Sequence, residues 1–153
     1  EKIEKGKIFL KNIERKKYVI KSISDSNYKE GNIKAHIKYI KLLKENLRNN
    51  IPSMFLIEKE INDKRYLVMV CENINGKLTN LTPKNIDNNL KTGMLKLLKK
   101  GFVLDFYGKE NFIKDKKGKI YYIDTRMPLF SKESNEGNRF NISLKKTKEL
   151  LKN

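Results

Sequence analysis

The sequence predicts an α+β fold, mainly antiparallel in its first half and helical with a β-hairpin in its second. Three observations carry this. Between residues 5 and 71, two pairs of short apolar-rich segments flank a single stretch of helical period. A second helical stretch, 83–100, runs up to Gly101. Apolar segments on either side of Asp115-Lys116-Lys117-Gly118 then read as a hairpin, because glycine takes positive φ without steric cost.

The chain has 153 residues, 38% hydrophobic and 35% charged, with a formal net charge of +17. That length suits one domain or one small two-lobed unit. The charge is compatible with a nucleic acid, an anionic membrane surface or a phosphorylated ligand. It equally fits a plain compositional bias, since the basic residues are mostly lysines spread along a chain also rich in Asn and Ile. Only Cys71 is available, so no intrachain disulfide forms, and a reducing, cytoplasmic compartment is the default expectation. No apolar run approaches the roughly 20 residues that span a bilayer, and no signal peptide is visible.

Lys7 to Lys11 and Lys17 to Ile23 read as the first two strands. The second alternates, with Tyr18, Ile20 and Ser22 on one face and Val19, Lys21 and Ile23 on the other. Lys21 therefore lies between two β-branched residues on a face expected to be covered. Residues 32–48 read as a helix with Asn32 as N-cap. Ile33, Ile37, Ile40, Leu43 and Leu47 form its stripe, His36 lies beside it, and Glu45 falls among solvated charges. Ile51-Pro52 closes this segment. Ser53 to Ile61 and Arg65 to Cys71 are the next strands, joined at Asn62-Asp63-Lys64. The second is nearly continuous in apolar character, as a central strand covered on both faces would be. Glu72 to Gly76 is a connection, and Thr82-Pro83 opens the helix 83–100.

The stretch from Gly101 to Arg126 gathers the candidate chemistry. Phe102-Val103-Leu104 ends at Asp105; Asn111 opens one hairpin strand; the return strand Lys119 to Ile123 ends at Asp124. A hairpin brings Asn111 and Asp124 to one edge. Oxygen donors of this kind suit a hard cation such as Mg2+. A closing helix is expected from about Ser143 to Leu151.

An Asp, a short loop, an Asn opening a strand, a hairpin and a strand-closing Asp resemble the catalytic loop and metal-binding strand pair of the protein-kinase-like superfamily, which includes small-molecule kinases of the aminoglycoside phosphotransferase type. Here the Asp and Asn are six positions apart, Val103 stands where the family has His, and Asp124-Thr125-Arg126 replaces Asp-Phe-Gly. Tyr18-Val19-Ile20-Lys21 is similar to the family's lysine-bearing strand, although no Gly-rich phosphate loop precedes it. The resemblance covers about Lys7 to Arg126. It implies a two-lobed minimal kinase-like fold, with 1–75 as a sheet-plus-helix lobe and 76–153 as a reduced helical lobe carrying the hairpin.

It also implies roles. Asp105 is the base or orienting carboxylate, and Lys109 stabilises the transferring group. Asn111 and Asp124 hold Mg2+. Lys21 neutralises the phosphates of ATP, and adenine bonds to backbone around Glu72 and Ile74. Three functions follow as expectations: a kinase-like phosphotransferase acting on an unknown hydroxyl; an inactive, pseudokinase-type module that binds a nucleotide or a protein partner; and a basic nucleic-acid-binding protein. For the last, Tyr121 and Tyr122 with Lys116, Lys117 and Lys119 are the local candidate surface.

Overall fold

The computed structural model describes residues 9–13, 18–25, 33–107, 111–124, 128–134 and 138–152. It is α+β, with antiparallel sheets and three α-helices among the described residues. The chain divides into two compact units, Glu1–Lys38 with Pro52–Asn73, and Tyr39–Ile51 with Ile74–Asn153.

The first unit is built on a four-stranded sheet of β1 (Phe9–Ile13), β2 (Tyr18–Ser24), β3 (Met54–Ile61) and β4 (Lys64–Glu72), in the order β1-β2-β4-β3 and antiparallel throughout. β1 runs on to Ile13, two residues past the expected Lys11, and residues 7–8 of the expected segment lie outside the described residues. β4 is central, paired on both edges, and its burial alternates: Leu67, Met69 and Cys71 are buried, whereas Val68 and Val70 on the other face are half-buried. Register puts Lys21 opposite Met69 and Ile23 opposite Leu67. Leu67, Met69, Cys71 and Ile23 are buried on that face, and Lys21 is half-buried there. β3 and β4 are joined by the two-residue turn Asn62-Asp63, both at positive φ, 52° and 63°. Two left-handed residues match the twist of the flanking strands, and Asn and Asp tolerate that region.

Helix α1 (Ile33–Asn46) follows β2. Its expected cap, Asn32, lies outside the described residues. The Ile33 N–H donates to Asp25 Oδ1 at 2.8 Å. A carboxylate there satisfies an otherwise open donor and complements the helix dipole. The buried stripe is Ile33, His36, Ile40, Leu43 and Leu47. Spacings of three and four residues carry it through His36, while Ile37 is only half-buried and Glu45 is exposed. The helix stops at Asn46, shorter than the expected 32–48, and Arg48–Asn50 forms one 3-10 turn.

The second unit holds α2 (Asn88–Lys99), α3 (Arg139–Leu151), a three-stranded sheet β5-β7-β8 and a β6-β9 pair. The expected helix 83–100 begins late. Thr82 N–H donates to Asn85 Oδ1 at 2.7 Å and Asn85 N–H to Thr82 Oγ1 at 3.3 Å, which closes one isolated turn. Asn85 also reaches back to the Asn80 carbonyl, and Ile86 is buried, so the chain bends before the helix starts. Asp87 is the true N-cap, accepting from Leu90 N–H at 2.7 Å. At the other end, Gly101 takes φ 89° and donates to the Leu98 carbonyl, as a helix stop requires.

Two strands had no sequence signature. β5 (Gly76–Leu78) pairs with β7 (Phe112–Asp115), and β9 (Leu129–Ser131) pairs with β6 (Phe102–Leu104). A Cβ on Gly76 would collide with the Lys114 carbonyl, so that ladder needs glycine. Val103, Phe130 and Phe140 make a buried cluster with Leu98 and Leu144 against it, joining the β6-β9 pair to α2 and α3. Burying such a side chain contributes about 1.5–3 kcal/mol. α3 starts four residues before the expected Ser143, because Phe140 belongs to this cluster.

Candidate functional site: the edge formed by Asp105, Asn111 and Asp124

The hairpin of β7 and β8 (Ile120–Tyr122) is in register, Phe112 opposite Tyr122 and Ile113 opposite Tyr121. Its turn is fixed by Asp115, whose Oδ1 accepts from the N–H groups of Lys117 and Lys119 at 2.9 Å each, and by Gly118 at φ 86°. At its open end the Ile123 N–H donates to the Asn111 carbonyl at 2.9 Å. The ladder therefore runs one pair beyond the strands and sets Asp124 next to the residue that bonds Asn111.

Asp105 joins this edge from β6. The Asn111 side chain donates from Nδ2 to the Asp105 carbonyl at 2.8 Å. Asp105 N–H donates to Tyr122 Oη at 3.0 Å, and that hydroxyl donates onward to the Pro128 carbonyl at 2.7 Å. Tyr122 is 1% exposed, so its hydroxyl is an internal strut between the start of the loop and the start of β9. The next backbone donor, Phe106 N–H, bonds Ser143 Oγ on α3 at 2.9 Å. Phe106 stacks on Phe112, centroids 5.5 Å apart, and Phe112 meets Tyr122 at 5.1 Å. Three aromatic rings and two side-chain hydroxyls thus set where Asp105 sits. The carboxylate itself accepts from Tyr107 N–H through Oδ1 at 2.8 Å, a turn two residues wide.

Of the sequence-predicted site residues, Asp105 and Asn111 are joined by a hydrogen bond and Asp124 follows the residue paired with Asn111; each of the three is half-buried. Lys109 lies outside the described residues, as does Arg126. Lys21 and Glu72 belong to the first unit, and Ile74 to the second. Glu72 ends β4, and its N–H is engaged by the Ser53 carbonyl at 2.8 Å while its Oε1 accepts from Ser53 N–H at 3.3 Å. Ile74 is half-buried in the short irregular link between β4 and β5.

Among the described residues, no group of three or more His, Cys, Asp or Glu side chains could hold a metal ion. The donors at this edge are instead an amide and carboxylates. With Nδ2 donating to Asp105, the oxygen Oδ1 is the atom of Asn111 whose chemistry suits a hard cation, and Asp124 supplies carboxylate oxygens. Amide and carboxylate oxygens are donors of the kind a hard cation prefers, unlike those of a soft or imidazole-preferring metal.

Sequence reasoning missed Tyr122 and Ser143 as positioning residues. A tyrosine on the inward face of a short strand needs a partner for its hydroxyl, and that signal was present in the alternation of Ile120, Tyr121 and Tyr122. Nothing in the sequence marked Ser143, whose partner lies 37 residues away.

Among the described residues no helix is long and apolar enough to cross a membrane. No protein-family model and no curated protein matches the chain.

Proposed function

We propose that the chain is a minimal kinase-like protein that binds ATP with Mg2+ and transfers the γ-phosphoryl group to a hydroxyl acceptor. The observation that carries this reading is the Asn111 Nδ2 to Asp105 carbonyl bond of 2.8 Å, at the hairpin end that also bears Asp124. Mg2+, when bound, neutralises charge on the nucleotide phosphates. Asn111 and Asp124 hold it through oxygen. Asp105 orients the acceptor hydroxyl by accepting its hydrogen bond, and its backbone is held by Tyr122 and Asn111. The resemblance gives the phosphate-neutralising role to Lys21, which lies on β2 of the first unit. Glu72 and Ile74 offer backbone to adenine, Glu72 through its carbonyl because its N–H is engaged. Lys109 completes the expected set.

One observation favours a second reading, a nucleotide-binding module without turnover. Asp105 Oδ1 is engaged by Tyr107 N–H, the ordinary role of a loop aspartate.

A thermal-shift titration with ATP separates these. A rise in Tm with ATP and Mg2+ that EDTA abolishes and Asp124→Ala removes supports the site. No shift at millimolar nucleotide overturns both readings. A shift without phosphate release or phosphoryl transfer selects the second.

A further inference from the structure

We infer that the solvent face of the β5-β7-β8 sheet is a docking surface for a single-stranded nucleic acid. Strands alternate faces, so the buried Phe112, Ile120 and Tyr122 define the inner side. The row Leu78, Ile113 and Tyr121, paired directly across three strands, lies on the other side. Leu78 is 53% exposed, and Ile113 and Tyr121 are half-buried. The row is an apolar strip that includes one half-buried aromatic ring, Tyr121. Tyr122 is excluded from it, because its ring and hydroxyl are inside.

Lysines surround the turn end of this sheet. Lys77, Lys114, Lys116, Lys117 and Lys119 are all exposed. Lys77 and Lys114, directly opposed in register, share the face of Phe112 and Ile120, so the lysines on the side of the strip are Lys116 and Lys117 of the turn and Lys119. The acid among them, Asp115, is engaged through Oδ1 with backbone N–H groups, so it shapes the turn. Lys114 runs along the turn, its Cε 3.8 Å from where a Cβ on Gly118 would stand. Lys119 Nζ sits 5.0 Å from the Tyr121 ring centroid. A charge that can neutralise phosphate and an aromatic ring are therefore adjacent, the combination that single-strand binding uses. A duplex hides its base faces and offers the ring nothing to stack on.

Fluorescence anisotropy with a labelled oligouridine tests this on the full chain. Binding is expected to weaken steeply with salt, and Lys116→Glu with Lys117→Glu is expected to reduce the salt slope as phosphate contacts are lost. Tyr121→Ser is expected to weaken binding about tenfold, whereas Tyr121→Phe keeps the ring and the affinity. Unchanged circular dichroism and melting verify that these exposed-face variants fold. Equal weakening by Lys145→Glu with Lys148→Glu on α3 would mean diffuse charge and overturn the proposal. So would duplex binding as tight as single-strand binding, or Tyr121-independent capture by anionic phosphatidylserine vesicles alone.

Discussion

Asn111 holds the backbone of Asp105: its amide Nδ2 donates to the Asp105 carbonyl at 2.8 Å across a loop whose ends are otherwise tied by different elements. Removing this bond in Asn111→Ala is expected to destabilise the fold by about 1 kcal/mol, the net worth of one part-buried hydrogen bond. Urea denaturation measures that loss. The same variant is expected to abolish any magnesium-dependent nucleotide shift, a far larger effect than the stability change would produce.

Tyr122→Phe deletes one oxygen and strands two backbone groups. The Pro128 carbonyl loses its partner in the interior, and the part-buried Asp105 N–H loses its bond to the same hydroxyl. The expected cost is about 1–3 kcal/mol, with faster hydrogen exchange at the Asp105 amide. Tyr121→Phe, one residue away on the opposite face, is expected to leave both readouts unchanged.

Asn50 and Asp87 are expected to be energetically coupled. Asn50 is 2% exposed, and its Nδ2 donates to Asp87 Oδ2 and to the Ile120 carbonyl, 3.0 Å each. Asp87 Oδ1 meanwhile caps α2. Asp87→Ala is expected to cost about 1–2 kcal/mol from the cap alone. A double-mutant cycle with Asn50→Ala is expected to give a coupling of about 0.5–3 kcal/mol; additive losses would contradict the shared network.

Gly93→Ala sets two effects against each other. Alanine is favoured over glycine inside a helix by about 1 kcal/mol. At Gly93, however, a Cβ would collide with the Asn46 carbonyl and the Leu47 side chain, and one of these is backbone that cannot rotate away. Overpacking of this kind costs about 1–3 kcal/mol, so the net change is expected to be destabilising, read as a lower urea midpoint.

How far the sequence disclosed this arrangement differs from element to element. The α+β class, the positions of the first four strands along the chain and the hairpin were legible because each rests on local periodicity or turn chemistry, such as Gly118 at φ 86°. β5 and β9 were not, since three residues apiece carry no period, and what makes them strands is the neighbour they pair with. The start of α2 was misplaced for a related reason. Thr82-Pro83 has every mark of a helix entrance, but the Asn85 side chain ties that turn back on itself and Asp87 begins again. At the candidate site, the placing of Asn111 and Asp124 at one end of the hairpin followed from hairpin logic. The hydroxyl strut of Tyr122 and the Ser143 contact came from long-range packing that no local window contains.

The left-handed pair Asn62-Asp63 bears on the order in which the molecule assembles. β3 and β4 meet through a two-residue link and align eight residue pairs, Met54 with Cys71 through Ile61 with Lys64. Closing so short a loop has little entropic cost, and isolated hairpins form within about 1–10 μs. β2 reaches β4 only after all of α1 has intervened. The β3-β4 ribbon is thus expected to form early in the first unit, with β2 and its Lys21 joining it afterwards.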